Sequence, residues 1–164
     1  MDPRLGTWED VAELEAEDKK KFLRRKDLLN FRFREYTGGL HGEVLEERHV
    51  VLRLPKDHHL NHVGIVYAGS LFTLMEIAGA ALFGCTYPLG KYIPINKEMS
   101  IQFLRMGTTD IVCDLSITPE KAEEMIRPID EKGKGEWILE MDCKDTDGNV
   151  VATSTCHYYI KKMG

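Results

Sequence analysis

Basic residues are in the minority in this sequence, with 22 Lys and Arg against 27 Asp and Glu. The resulting net charge of -5 and a pI near 5.7 argue against a surface that binds nucleic acid. Cysteines are also few, and the four of them form no C-x-x-C pair, which disfavours a zinc knuckle and a thioredoxin-type motif. Cys113, Cys143 and Cys156 fall on the apolar side of alternating segments, so we expect reduced thiols in the core.

The first residues do not have the pattern of a secretory signal. The opening MDPRLGTWEDVAELEAEDKKK has neither a positively charged n-region nor an apolar stretch. The one long apolar segment, residues 61–89, is interrupted by glycines and carries Glu76, which makes it a poor match to a membrane span. We therefore expect a soluble, cytoplasmic protein.

A helix of about residues 67–86 is the element around which we expect the chain to fold. Its apolar residues cover all sides rather than one stripe, which predicts a helix enclosed by sheet or by a partner. Glu76 would then lie inside. A carboxylate at low dielectric costs several kcal/mol unless it is paired, hydrogen-bonded or protonated. Glu76 therefore has either a structural partner or a use for a shifted pKa.

The other predicted elements indicate an α+β fold with one main domain, residues 38–164, after an N-terminal helical extension, residues 1–37. A short helix of about 119–129 is predicted from Thr118 as its N-cap, and a mobile linker is expected after it at 132–135. The predicted strands cover about residues 40–45, 49–55, 92–105, 111–117, 137–143 and 150–160.

Strand pairing is expected to follow the chain order. Segments 92–105 and 111–117 are predicted to form a hairpin, and the last four strands to form an antiparallel sheet curled around the one helix that is hydrophobic on every side. Because one sheet cannot enclose that helix, we expect a second copy of the chain to cover the remaining face, as a two-fold homodimer.

The sequence resembles a known family, the hotdog-fold acyl-CoA thioesterases, in the PaaI/THEM-like branch. The resemblance covers about residues 40–161. It includes the spacing of an Asn and an acid fifteen positions later, here Asn61 and Glu76, and the segment INKEMSIQFLRMG that follows the helix. The chain departs from the pattern where the family has His-Gly-Gly and this sequence has Tyr67, Ala68 and Gly69, and where Met106 and Asn96 replace a Pro and a Ser or Thr.

The chemistry of thioester hydrolysis assigns roles to these residues. Glu76 is the candidate general base or nucleophile, and the backbone N–H groups of Ala68 and Gly69, at the positive end of the helix dipole, suit a thioester oxygen. The resemblance implies that Asn61 and Asn96 orient water or substrate, with a site shared across a dimer interface. Four further residues are candidates for substrate binding: Gly64 and Tyr67 in the pocket, and Lys97 and Arg105 at the phosphates of CoA.

Structural alternatives accompany these roles. Glu76 could be a buried acid satisfied by a tyrosine or a backbone donor, and Asn61 could brace its loop. Three histidines, His58, His59 and His62, invite a metal site, but only Asp57 accompanies them in that loop, so we expect no metal.

Alternatives also exist for the function. The chain could be a non-catalytic acyl-chain or acyl-CoA binder with the same fold, or a hotdog dehydratase that pairs the acid with a histidine such as His62. We expect no cofactor apart from the CoA moiety of the substrate. The expected partners are a small acyl thioester and a second copy of the chain, in a homodimer or a homotetramer formed from two dimers.

Overall fold

A computed structural model describes residues 37–88 and 90–163 of the chain. The predicted N-terminal helical extension lies outside the described residues except for Thr37. Within the described residues the chain forms six strands and two α-helices, with a single 3₁₀ turn at Lys56–His58. The elements in chain order are β1 (His41–Glu46), β2 (His49–Leu54), α1 (Ala68–Thr86), β3 (Tyr92–Phe103), β4 (Ile111–Ser116), α2 (Pro119–Lys132), β5 (Lys134–Asp145) and β6 (Val150–Lys162).

The strands form one antiparallel sheet in the order β1-β2-β4-β5-β6-β3, with β3 at an edge. This curled sheet around one long helix confirms the expected hotdog architecture. The predicted hairpin of β3 and β4 is wrong, because β3 pairs with β6 and β4 pairs with β2. The connection of residues 104–110 is too long for a tight hairpin, and its first two N–H groups, at Leu104 and Arg105, donate to the main-chain oxygen of Val151 and so continue along β6.

The long helix α1 begins and ends as the sequence predicts and packs mainly over β2 and β4. Its buried residues are Leu71, Leu74, Met75, Ile77, Ala78, Gly79, Leu82 and Phe83. The opposite face is open in this chain, because Phe72 is 40% exposed, Ala80 is exposed and Glu76 is only half-buried. The sheet thus encloses one side of α1, and the expectation that Glu76 lies inside stays a prediction, which requires a second copy over the open face.

On length and composition alone, α1 could also cross a membrane, a property that it shares with the core helices of other folds. Its packing against the sheet accounts for its apolar character without a membrane.

The second helix, α2, has the predicted start and a later end. The Thr118 side chain accepts a hydrogen bond from the Lys121 N–H at 3.2 Å, and the helix runs to Lys132 rather than to about residue 129. Gly133 then adopts a left-handed conformation with φ of 74° and terminates the helix. The expected mobile linker at 132–135 is wrong, because this abrupt end lets β5 begin at Lys134, which pairs with Lys161.

An aromatic cluster fills the core between the two helices and the sheet. Trp137 is fully buried, and its indole N–H donates to the Tyr87 hydroxyl at 3.2 Å. That hydroxyl in turn donates to the main-chain oxygen of Ala122 on α2 at 2.9 Å. Phe83 and Tyr158 pack on the indole with ring centroids 5.4 and 5.5 Å away. The predicted core thiols are confirmed, since Cys113, Cys143 and Cys156 are free and buried.

Candidate functional site

The helix α1 contacts the edge strand β3, and both elements have residues that the chain leaves partly open. Met99 and Ile101 lie opposite Cys156 and Ser154 of β6, and because directly opposed residues of antiparallel strands share a face, all four point towards the helix side of the sheet. Met99 and Ile101 are only partly buried. We call the surface formed by Phe72, Glu76 and Ala80 of α1 with Met99 and Ile101 of β3 the α1–β3 surface.

Glu76 is the one Asp, Glu, Lys, Arg or His residue in α1. Within the part of the chain that the structure describes, its carboxylate makes no hydrogen bond and no ion pair. The Tyr158 hydroxyl lies nearby but donates to the main-chain oxygen of Glu76, at 3.2 Å, and not to the carboxylate. The alternative in which a tyrosine or a backbone donor satisfies this acid is therefore not found among these residues. A half-buried, unpaired carboxylate can take a proton from water or attack an electrophile.

The N-terminal end of α1 presents free main-chain donors. The N–H groups of Ser70 and Leu71 donate to the main-chain oxygen of Tyr67, whereas those of Ala68 and Gly69 have no acceptor among residues 37–88 and 90–163. These amides lie at the positive end of the helix dipole and can bind an oxyanion. The Tyr67 ring lies over the same turn, because a Cβ atom added at Gly69 would be 2.5 Å from its Cε1 atom.

Asn61 braces the loop that leads into α1. Its side-chain oxygen accepts hydrogen bonds from the N–H groups of Val63 and Ile65 at 3.0 and 3.3 Å, and its main-chain oxygen accepts from the N–H of Gly64 at 3.0 Å. Gly64 has φ of 80° and is exposed, so it serves as a turn glycine. These contacts agree with the interpretation that Asn61 braces its loop.

A bulge in β3 determines which side chains reach the α1–β3 surface. Asn96 lies opposite Tyr158, and the register shifts before Glu98, so that Lys97 is the extra residue. This shift lets both Asn96 and Met99 face inwards. Lys97 instead lies on the outer face, where its ammonium group is 2.9 Å from the Glu136 carboxylate.

The remaining predicted binding residue, Arg105, is exposed just beyond the end of β3. Neither Lys97 nor Arg105 therefore lies on the inner face of the sheet beside Glu76. Asn96 does face the helix side of the sheet. The other predicted site residues, Tyr67, Ala68 and Gly69, lie at the start of α1. The structure does not bring Lys97 to Glu76.

Three histidines, His58, His59 and His62, lie between β2 and α1. No group of three or more His, Cys, Asp or Glu residues that could hold a metal occurs in the described ranges. His59 instead connects the loop to the helix, with its Nδ1 2.9 Å from the Ser70 hydroxyl and its main-chain oxygen accepting from the Tyr67 N–H. Burial lowers the pKa of His59, which favours a neutral ring. The periodicity of the sequence gave no sign of this contact.

Comparison with known proteins places this architecture in a family. Residues 33–160 match the family described as "Domain of unknown function (DUF4442)". The chain belongs to the DUF4442 family. No curated protein sequence matches this DUF4442 protein.

Solved structures share the fold. One from Pseudomonas aeruginosa, described as a protein of unknown function and "Probable Thioesterase", is 35% identical with a TM-score of 0.78, covering 88% of this chain and 96% of its own. A thioesterase from Haemophilus influenzae has a TM-score of 0.64 at 10% identity, covering 84% and 87%. A mutant thioesterase enzyme from Staphylococcus aureus has a TM-score of 0.62 at 17% identity, covering 79% and 98%. The resemblance to the hotdog-fold thioesterases is confirmed at the level of the fold.

Proposed function

We propose that this DUF4442 protein hydrolyses acyl thioesters, of which acyl-CoA is the expected form. The observation that carries the proposal is the Glu76 carboxylate, which is unpaired among the described residues and lies on the open, apolar side of α1. An unpaired acid in such surroundings is a candidate catalytic group. The 35% identity to a structure described as a probable thioesterase supports the same class of reaction.

Two reaction paths fit a carboxylate in this position. As a general base, Glu76 removes a proton from water while the water oxygen bonds to the thioester carbon, and the thiolate leaves and is protonated. As a nucleophile, Glu76 bonds to that carbon itself while the C–S bond breaks and the thiolate leaves and is protonated. Water then hydrolyses the mixed anhydride, which releases the free acid and restores the Glu76 carboxylate. In both paths the carbonyl oxygen becomes an oxyanion, which the amides of Ala68 and Gly69 can stabilise. Neither path requires a cofactor beyond the CoA moiety of the substrate.

The separation of these groups along α1 supports a site shared by two copies. Ala68 and Glu76 are eight residues apart, which corresponds to about 12 Å along a helix axis. A thioester whose oxygen binds to the Ala68 amide therefore lies about two turns from the Glu76 carboxylate of the same chain. An antiparallel second copy brings its own helix start beside Glu76. The open edge of β3 and the exposed Phe72 offer the surface for such a homodimer, which could pair into a tetramer.

Release of free thiol from a panel of acyl-CoA esters tests the proposal. We expect the wild-type protein to turn over at least one ester, and Glu76→Gln, which keeps the size of the side chain, to lose about 100-fold or more in kcat. Glu98→Gln is the matched control, because Glu98 is an exposed acid on the outer face of β3. Full activity in Glu76→Gln would end the catalytic assignment of this residue.

One observation favours a second candidate function, acyl-chain or acyl-CoA binding without hydrolysis. The Tyr67 ring lies over the Gly69 turn, next to the amides that would hold the oxyanion. A binder would show a higher melting temperature with acyl-CoA yet release no thiol from any ester. The same panel therefore separates the two functions. An acyl-CoA substrate fits the cytoplasmic location expected from the sequence, which stays a prediction.

A further inference from the structure

A buried tyrosine lies directly beneath the turn of α1 that carries Glu76. The Tyr158 hydroxyl donates a hydrogen bond of 3.2 Å to the main-chain oxygen of Glu76. Tyr158 belongs to the middle of β6 and is 1% exposed. Its ring packs against Trp137, with 5.5 Å between the ring centroids. Because its neighbours hold the ring, the hydroxyl has a fixed position under the helix.

Glycine at position 79 makes this contact possible. A Cβ atom added at Gly79 would lie 2.3 Å from the Tyr158 hydroxyl oxygen and 3.1 Å from the Met141 methyl carbon. Any larger residue would therefore displace the tyrosine or lift the helix. Glycine in the interior of a helix is itself unfavourable relative to alanine. The close approach of Tyr158 explains why this helix has a glycine there.

Among the described residues, the bond from Tyr158 is also the one hydrogen bond in which a strand side chain binds α1. α1 packs mainly on β2 and β4, whereas its face with Phe72, Glu76 and Ala80 is open in this chain. We propose that Tyr158 is a positioning residue, which sets the height of the Glu76 turn above the sheet and so the location of the carboxylate. This inference rests on the function proposed above.

The register of the sheet connects Tyr158 to a second site residue. Asn96, the candidate water ligand, lies directly opposite Tyr158 on β3. Tyr158 is thus the cross-strand neighbour of Asn96 and also donates a hydrogen bond to the helix turn that carries Glu76. Displacement of Tyr158 alters the distance between Glu76 and Asn96, and misplacement of reacting groups by about 1 Å can cost about 100-fold in rate.

The decisive experiment compares Tyr158→Phe with wild type, using Tyr159→Phe as the matched control from the outer face of the same strand. We expect Tyr158→Phe to lower kcat by about 10- to 100-fold with KM within about twofold, well below the melting temperature. A residue with only a structural role would lower the melting temperature and leave kcat unchanged. An unchanged kcat in folded Tyr158→Phe therefore overturns the proposal.

Gly79→Ala provides an independent route to the same displacement. We expect it to lower kcat as Tyr158→Phe does, because the added methyl group pushes the hydroxyl away. In the double variant the two effects should not add, because the Phe ring no longer carries the oxygen that the methyl group meets. Fully additive losses would contradict the proposed contact.

Hydrogen exchange separates this inference from the proposed function. The amide of Ala80 donates to the Glu76 oxygen within the helix, so Tyr158→Phe should speed its exchange about tenfold while the amide of Ile126 in α2 is unaffected. If wild type releases no thiol, the proposed function fails, and the Ala80 amide still decides whether Tyr158 anchors α1. Unchanged exchange at Ala80 would refute the anchor even in an active enzyme.

Discussion

Replacing Tyr87 with phenylalanine should destabilise the protein well beyond what the loss of one oxygen atom suggests. The Tyr87 hydroxyl accepts the Trp137 indole N–H at 3.2 Å and donates to the main-chain oxygen of Ala122 at 2.9 Å. Both ends of this bridge are in the core, where Tyr87 is 7% exposed and Trp137 is fully buried. The bridge joins the end of α1 to β5 and α2.

The magnitude follows from which groups lose their partners. Phenylalanine leaves the Trp137 N–H without an acceptor, which costs about 1–3 kcal/mol for a buried donor. The Ala122 oxygen keeps its acceptor role within α2, so the loss of that hydrogen bond adds only about 1 kcal/mol. We expect Tyr87→Phe to lower the free energy of unfolding by about 2–4 kcal/mol in urea titrations, with an unchanged m value.

Two further variants make this prediction refutable. Tyr159→Phe, on the outer face of β6, should change the free energy of unfolding by less than about 0.5 kcal/mol. In a Trp137→Phe background, which has no indole N–H, Tyr87→Phe should cost only about 1 kcal/mol. A cost for Tyr87→Phe that matches the Tyr159→Phe control, or that is the same in both backgrounds, would show that the bridge contributes nothing.

Ionisation of the Tyr87 hydroxyl should destabilise the protein at alkaline pH. Burial raises the pKa of Tyr87 to about 12, against about 10 in an unfolded chain. Because the folded pKa is the higher one, the stabilisation is fully present below about pH 10 and is lost as the pH rises towards 12. The difference in unfolding free energy between wild type and Tyr87→Phe should therefore shrink over that range. A difference that stays constant would contradict this account.

Two smaller predictions concern the C-terminal part of α2. Gly133→Ala should lower the free energy of unfolding by about 1 kcal/mol, since φ is 74° there, whereas Gly133→Asn should cost less; equal costs would argue against the left-handed cap. The Asp130 carboxylate contacts Lys162, Tyr92 and Lys91. The contact with Lys162 contributes most to lowering the pKa of Asp130, and the other two lower it further. Because the folded pKa is the lower one, the stabilisation is present above about pH 4. Asp130→Asn removes this stabilisation, so it should melt at a lower temperature than wild type at neutral pH. The difference in melting temperature should vanish as the pH falls below about 4.

Local patterns in the sequence were sufficient to predict the individual elements. The continuous apolar segment predicts a helix at 67–86, and α1 runs from Ala68 to Thr86. Thr118 followed by Pro119 predicts the start of α2, which the hydrogen bond to Lys121 confirms. These features depend on neighbouring residues and on which side of an element is buried, so they can be read from the chain itself.

Strand pairing could not be predicted in the same way. A period of two shows which face of a strand is buried but not which strand lies beside it. For this reason β3 and β4, adjacent in sequence, were expected to form a hairpin, although they are separated by β5 and β6 in the sheet. The pairing of β3 with β6 depends on contacts between residues more than fifty positions apart, such as Met99 and Cys156.

The candidate site, too, could be predicted from the sequence only in part. The spacing of Asn61 and Glu76 pointed to the acid from the sequence alone, and the structure leaves its carboxylate unpaired among the described residues. The loop-bracing contacts of Asn61 and the outward direction of Lys97 depend on a turn and a bulge that the sequence pattern does not reveal. Tyr158 could not be identified as a neighbour of Glu76, because an inward-facing tyrosine in a strand looks like any other core residue.

Subunit mixing tests most directly the claim that one copy supplies the carboxylate and the other the helix amides. Glu76→Gln removes the acid. Ala68→Pro removes the amide donor at the first helical residue, where proline is tolerated. Each variant alone should lose about 100-fold or more in thiol release. After refolding of equal amounts together, half of the dimers carry one site with both groups intact, so we predict recovery to about a quarter of wild-type activity. A mixture no more active than the separate variants would contradict the shared site.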